Sequence, residues 1–195
     1  MRIIAGTYRG RVLKNPPDLK TRPTSDRLRE TVFNVLSPRI DEATRFLDLC
    51  AGTGAIGAES LSRGAGFVTL VDRSRKSCAL VEINLDALDI PEDQTEVVMS
   101  EAVEFLRRAN KKLLENVADE NARGWDIVYY DPPYSDDYRP VLELFGAEDA
   151  QLLREGGILI AEHHHKNELP DLVRGLRRWR ILKQGDSCLS FYETK

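Results

Sequence analysis

Asp131, Pro132, Pro133 and Tyr134 follow directly on the apolar run Ile127-Val128-Tyr129-Tyr130. A hydrophobic strand that stops at an acid and two prolines brings a carboxylate, a rigid turn and an aromatic ring to a sheet edge, where open α/β folds bind ligands. Those groups suit an exocyclic amine on a flat base. The Asp131 carboxylate and the Pro132 carbonyl can each accept a hydrogen bond from an NH2 group, while Tyr134 stacks on the ring that carries it. The tandem prolines have fixed φ and no N–H, so they hold the acceptors still and keep competing donors away. Asp and Pro are also ordinary turn residues, so this motif needs support from elsewhere in the chain.

Support comes from Phe46-Leu47-Asp48-Leu49-Cys50-Ala51-Gly52-Thr53-Gly54-Ala55-Ile56-Gly57. An apolar run passes through a glycine turn into a helix-forming stretch that Gly64 closes. Gly52, Gly54 and Gly57 spell the loop of dinucleotide-binding proteins, and Asp72 ends the next apolar run, Phe67 to Val71. Asp48 separates the candidate ligands. A carboxylate at the mouth of the loop repels a pyrophosphate and attracts the ammonium or sulfonium of S-adenosylmethionine. Asp72 serves either ligand, because both offer ribose hydroxyls.

The elements that must position these residues follow from periodicity. Two short β segments, 2–5 and 11–13, open the chain, and a Pro-rich connection leads to a helix capped by Thr24 or Ser25 and stopped at Pro38. Strands are then expected at 45–50, 66–72, 96–99, 125–131 and 157–162, with helices at about 55–63, 74–88, 101–117 and 140–154. Such alternation makes a parallel sheet with helices on both faces. A last helix near 168–176 and a hairpin of 178–183 and 187–193 close the chain.

At 195 residues and 42% hydrophobic content the chain can build one domain with a proper core. No apolar stretch is long enough for a membrane span and the start lacks a signal-peptide pattern, so a cytoplasmic protein without membrane partners is expected. Cys50, Cys78 and Cys188 lack metal-like spacing and read as reduced thiols. The net charge of −4 hides an asymmetry: residues 1–39 hold nine basic and three acidic side chains. A basic arm on an acidic body reads as an RNA-docking surface. A second basic run, Arg174 to Lys183 around Trp179, reads as an ordinary strand with exposed arginines. His163-His164-His165 contains every histidine, but adjacent residues on an extended chain point in opposite directions, so no metal site is expected there.

Taken together the motifs resemble the RsmD-type methyltransferases, which methylate the N2 amine of a guanine in small-subunit ribosomal RNA. The resemblance runs through Arg2-Ile3-Ile4-Ala5-Gly6, Arg9-Gly10-Arg11, Arg22-Pro23-Thr24-Ser25-Asp26-Arg27, Glu30, Phe33-Asn34, the Asp48 loop, Leu61 to Ala65, Asp131 to Tyr134 and Glu162. It implies a class I, Rossmann-like, mostly parallel seven-stranded sheet, residues 41–195, preceded by a basic extension, residues 1–40, that is not an independent domain. It implies S-adenosylmethionine as cofactor, S-adenosylhomocysteine as product, and no metal. Asp48, Ala51, Gly52, Gly54, Asp72 and Arg73 are the implied cofactor contacts, with Glu101 and Ala102 at the adenine end. Asp131, Pro132, Pro133 and Tyr134 are the implied catalytic turn, and Arg9, Arg11, Arg22, Thr24 and Arg27 the implied RNA contacts. The expected partner is ribosomal RNA or the assembled small subunit, bound by a monomer. The nearer alternative is an amine methyltransferase acting on DNA adenine or cytosine or on a protein glutamine; a non-catalytic RNA-binding module and a nicotinamide oxidoreductase are more distant.

Overall fold

Residues 1–16, 25–116 and 123–194 are described by the computed structural model of the chain, and they divide into two compact units, Met1–Ser100 and Glu101–Lys195. In the first unit, strands β1 (Arg45–Leu49), β2 (Phe67–Asp72) and β3 (Thr95–Met99) pair in parallel in the order β3-β2-β1. Four of the five β1 residues are buried, as expected of a parallel strand covered on both faces. Helix α1 (Asp26–Leu36) starts at Ser25, whose hydroxyl accepts the Leu28 N–H, and passes into a 3-10 turn that contains Pro38. The Ser25 hydroxyl is therefore the cap, and Thr24 lies outside the described residues. Helix α2 (Ala55–Ser62) is buried along its whole length, and α3 (Arg75–Ala87) is capped by Ser74.

The opening residues form a hairpin without regular strands. The expected segments 2–5 and 11–13 meet in a single antiparallel bridge, Arg2 to Val12, flanked by bonds from Ile3 N–H to Arg11 O and from Leu13 N–H to Met1 O. Two glycines, Gly6 and Gly10, bend so tight a loop that longer pairing has no room. The hairpin is fixed to α2 by Glu59. Its carboxylate, 0% exposed, accepts the N–H of Ile4 at 2.8 Å and of Ala5 at 3.0 Å, and also the Arg63 Nε–H at 2.8 Å. Gly6 lies so close to the end of α2 that a Cβ would stand 1.6 Å from the Ser62 carbonyl oxygen. Only glycine fits there, and its φ of +84° excludes other residues a second time.

In the second unit, β4 (Trp125–Tyr130) pairs in parallel with β5 (Leu153–His164), and β8 (Ser187–Thr194) runs against both β5 and β7 (Leu176–Gln184). That reversal of β8 is the antiparallel strand expected of the closing hairpin. Helix α4 (Ala102–Glu115) places Phe105 5.6 Å from the Trp125 ring. Three expectations change. Helix α5 (Arg139–Phe145) replaces the long helix over 140–154, because Gly146 ends it and β5 begins early, at Leu153. No helix forms at 168–176. Pro170 and Gly175 break the apolar period there, and Val173 and Leu176 face each other across a two-residue turn between the short strand β6 (Leu172–Val173) and β7. The described residues thus hold eight strands, the eighth being this two-residue β6. No helix among the described residues is long and apolar enough to cross a membrane.

Deleting a buried carboxylate leaves its donors without their partner. Glu59→Ala is expected to lower unfolding free energy by about 3–5 kcal/mol in urea titration and to speed amide exchange at Ile4 and Ala5 first. Unchanged exchange at those two amides would show that Glu59 does not hold the hairpin.

Candidate active site

The first unit carries the glycine loop. Cys50 leaves β1 with φ +67°, Ala51 returns its N–H to the Val71 carbonyl at 2.9 Å, and Gly54 closes on the Ala51 carbonyl at 2.8 Å. Gly57 is a packing glycine. A Cβ there would meet Leu70 Cδ2 at 2.7 Å, so α2 can lie this close to β2 only without a side chain. The two acids at the strand ends organise the loop between them. Asp48 is buried, and its Oδ2 accepts the Gly57 N–H at 2.9 Å. Asp72 accepts the Gly52 N–H at 2.9 Å on Oδ2 and the Ser74 N–H at 2.8 Å on Oδ1. Burial pushes the Asp48 carboxyl up to about 7; the Gly57 N–H offsets part of that rise and the negative charge of Asp72 adds to it.

These bonds decide which ligand the loop suits. A dinucleotide pyrophosphate is held by N–H groups of the loop and helix start. Here the N–H groups of Gly52, Gly54 and Gly57 are already engaged, two of them by carboxylates. A cation with ribose hydroxyls finds the better match. Each Asp72 oxygen has a second lone pair for a hydroxyl, and Asp48, its carboxyl pushed up by burial, is a buried acid whose ionised form an adjacent cation would favour. Ala51 is buried and Arg73 is exposed at the end of β2. In the second unit, Glu101 is the exposed N-cap of α4 and Ala102 its first residue.

The second unit carries the Asp-Pro-Pro-Tyr turn at the end of β4. The Pro133 carbonyl accepts the Asp136 N–H at 2.8 Å, which closes the turn. Among the described residues no donor is recorded on the Pro132 carbonyl, the acceptor expected to meet an amine. Tyr134 is held at three points. Asn167 Nδ2 donates to its carbonyl at 2.9 Å, Ser187 Oγ lies 3.0 Å from its hydroxyl, and the His164 ring meets its ring edge-on at 5.5 Å. Behind it, the buried Glu162 accepts the Ser187 hydroxyl at 3.2 Å and the Tyr129 hydroxyl at 2.5 Å. Tyr138 donates to the Glu162 carbonyl at 3.1 Å, and burial, followed by the Asp131 charge, raises its phenol. Ser187, Asn167 and Tyr129 have no sequence spacing that ties them to residue 134; only strand pairing brings them there.

The basic residues divide. Arg9 and Arg27 are exposed, whereas Arg22 and Thr24 lie outside the described residues. Arg11 turns inward. Its guanidinium donates to the carbonyls of Leu88 and Ala87 at the end of α3 and pairs with Asp89 at 2.9 Å, so it caps that helix. Arg29, one of the nine cations assigned to the docking arm, is wholly buried and bonded to Asp26 and the Arg2 carbonyl. In the second run, Arg177 pairs with Glu193 and Arg178 with Asp171.

The histidines also depart from expectation. His163 points inward, its Nε2 2.9 Å from Ser190 Oγ, and burial lowers its pKa. His164 and His165 do not splay apart: β5 ends at His164, the chain turns, and the two rings lie 4.3 Å apart. With Asp186 they offer three ligand atoms within 4.8 Å of one another.

Comparison with known proteins follows the same lines. The family model described as conserved hypothetical protein 95 matches residues 1–193. The chain is 38% identical to the Escherichia coli protein named ribosomal RNA small subunit methyltransferase D, over 99% of this chain and 89% of that one. It is 36% identical to the Haemophilus influenzae protein of the same name, over 69% of this chain and 64% of that one. A solved Escherichia coli structure, 33% identical, matches with a TM-score of 0.80 over 100% of this chain and 98% of that one. The chain belongs to this family, that of ribosomal RNA small subunit methyltransferase D, and has its class I, Rossmann-like fold.

Proposed function

We propose that this chain transfers a methyl group from S-adenosylmethionine to the exocyclic N2 amine of a guanine in small-subunit ribosomal RNA, in the cytoplasm and as a monomer. The observation that carries the reading is the Asp131–Tyr134 turn, with one proline carbonyl engaged in the turn itself, the other clear of it, and the tyrosine fixed at three points. Family membership adds ribosomal RNA as the substrate class. Residues 1–40 are read as the docking extension, with Arg9, Arg11 and Arg27 the exposed members of the RNA-contact set among the described residues.

When bound, S-adenosylmethionine supplies an electrophilic methyl on a sulfonium, which leaves as the neutral thioether of S-adenosylhomocysteine. Asp48 and Asp72 would hold its amino acid and ribose ends. A guanine amine is a poor nucleophile because its lone pair is delocalised into the ring. The Asp131 carboxylate and the Pro132 carbonyl would accept its two N–H groups, favour a tetrahedral nitrogen and direct the lone pair. During transfer positive charge would grow on the amine nitrogen, and the Asp131 carboxylate would stabilise it. The surplus proton then passes to water. Tyr134 would stack on the base, a contact worth about 1–3 kcal/mol.

Asp131→Ala removes an acceptor that strengthens in the transition state. The expected cost is about 2–4 kcal/mol, or a hundredfold and more in single-turnover methylation of undermethylated small subunits. A near wild-type rate would remove this turn from the chemistry. The raised pKa of Asp48 gives a second test. In the free fold its carboxyl titrates at about 7, above the ordinary 3.8, so the protonated form favours folding at low pH and that contribution is lost as pH rises through 7. A cationic ligand needs the ionised form. Calorimetry should therefore show S-adenosylmethionine affinity rising between about pH 6 and 8, with release of up to one proton, and Asp48→Asn should flatten the profile. A flat wild-type profile would mean that Asp48 does not meet the cation. For docking, replacing Arg9 and Arg27 with alanine should lower the salt slope of RNA binding by about one to two units and leave cofactor affinity intact. An unchanged slope would return both to ordinary surface charge.

A further inference from the structure

The hydroxyl of Tyr134 belongs to a chain of hydrogen bonds whose direction can be assigned. Ser187 has a single hydroxyl proton and donates it to Glu162 Oε1 at 3.2 Å. The proton between Tyr134 and Ser187, whose oxygens lie 3.0 Å apart, must then come from the tyrosine. Glu162 takes a second donation on Oε2, from Tyr129. The order is Tyr134 to Ser187 to Glu162, with Tyr129 feeding the far oxygen. Glu162, Ser187 and Tyr129 are buried, while the Tyr134 ring at the end of the chain is only half-buried. Tyr129 is a β4 residue two positions before Asp131, so the same carboxylate ties the strand that carries the turn to the strands that carry Glu162 and Ser187.

A network that served stability alone would have no need to end on a half-buried ring. We infer that Glu162 and Ser187 are positioning residues for Tyr134: through its hydroxyl they fix the plane of the ring on which the target base stacks. This rests on the reading of Tyr134 as the base clamp. Its mechanical content is specific. The Asn167 bond fixes the Tyr134 backbone and the His164 contact limits one edge of the ring, while the hydroxyl bond restrains the ring from swinging about its Cα–Cβ bond. The inference also changes what Tyr134→Phe should do. Stacking alone would leave phenylalanine equivalent; a tethered ring would not.

The test is a double-mutant cycle on single-turnover methylation of undermethylated small ribosomal subunits at saturating S-adenosylmethionine. Ser187→Ala and Tyr134→Phe should each lower the rate about three- to tenfold, the worth of one net hydrogen bond, and the double variant should be no slower than the worse single. Ser187→Thr, which keeps the hydroxyl, should recover most of the rate. Affinity for S-adenosylmethionine should not move in any of these, which separates positioning from general damage to the fold. Tyr134→Phe reads the same bond from its exposed end if Ser187→Ala fails to fold. Losses that multiply in the double variant would overturn the relay, as would a wild-type rate in Ser187→Ala beside an inactive Tyr134→Ala, which leaves the base clamp standing. A wild-type rate in Tyr134→Ala would overturn clamp and relay together.

Discussion

A carboxylate removed from water must be surrounded by donors, and three buried carboxylates set much of this structure. Glu59 and Glu162 gather N–H or O–H groups from segments far apart in sequence, Asp48 an N–H from the next element, and each so fixes a segment the proposed reaction needs. Glu59 binds the backbone of the N-terminal hairpin, Glu162 holds Tyr129 directly and Tyr134 through Ser187, and Asp48 holds the start of α2 through the Gly57 amide. Glu59 and Glu162 each collect donors on both oxygens. Asp48 is less well served, with one backbone N–H recorded and a second carboxylate, Asp72, acting on it unfavourably. The first unit therefore holds a strained charge at the mouth of its glycine loop, which an incoming cation would relieve. Sites of this kind, where local electrostatics are not satisfied by the protein itself, are where ligands are expected.

The parts of the fold that were legible in the sequence are those governed by local periodicity. β1, β2, β3 and β4 and helices α1 to α4 fall within a residue or two of expectation, because each is a run of one period closed by a cap, a glycine or an acid. The failures have a common cause as well. Leu169, Leu172, Val173 and Leu176 look like one face of a helix, yet across a two-residue turn the same spacing sets Val173 opposite Leu176 in a hairpin. The strand expected over 157–162 begins earlier, at Leu153, so Gly156 and Gly157 lie inside β5, where the second allows close approach to the Asp126 and Arg154 carbonyls. Short apolar runs admit both periods, and only tertiary contacts choose between them.

The candidate site was legible to the same degree. Asp48, Asp72, Asp131 and Tyr134 were identified because a strand end followed by a turn is a local event. Ser187, Asn167 and Tyr129 could not be, since their relation to Tyr134 is created by pairing of β8 with β5 and by the chain returning after His164. The histidines show the same limit in reverse. The alternation argument that separates three adjacent side chains holds only while the strand continues, and β5 stops at His164.

Burial also revises the electrostatics of docking. Nine cations in residues 1–39 suggest a strong phosphate-binding arm, but charge counted along a sequence ignores where each group ends up. Arg29 lies in the interior with two nitrogens, Nε and Nη1, that have no hydrogen-bond partner among the described residues, and Arg11 serves carbonyls at the end of α3. Arg2 stands beside Asp26 at 3.6 Å, which offsets its field. Each phosphate neutralised contributes a slope of roughly 0.7–0.9 in salt dependence, so an arm with a few outward cations gives modest, sequence-independent affinity. The rest of the sequence carries net negative charge, which opposes association with RNA. Under the proposed function, then, the arm orients the RNA, whereas discrimination of one amine among many falls to the rigid turn and the tethered ring of Tyr134. That division explains why the structure invests buried hydroxyls and a buried carboxylate in holding a single half-exposed side chain.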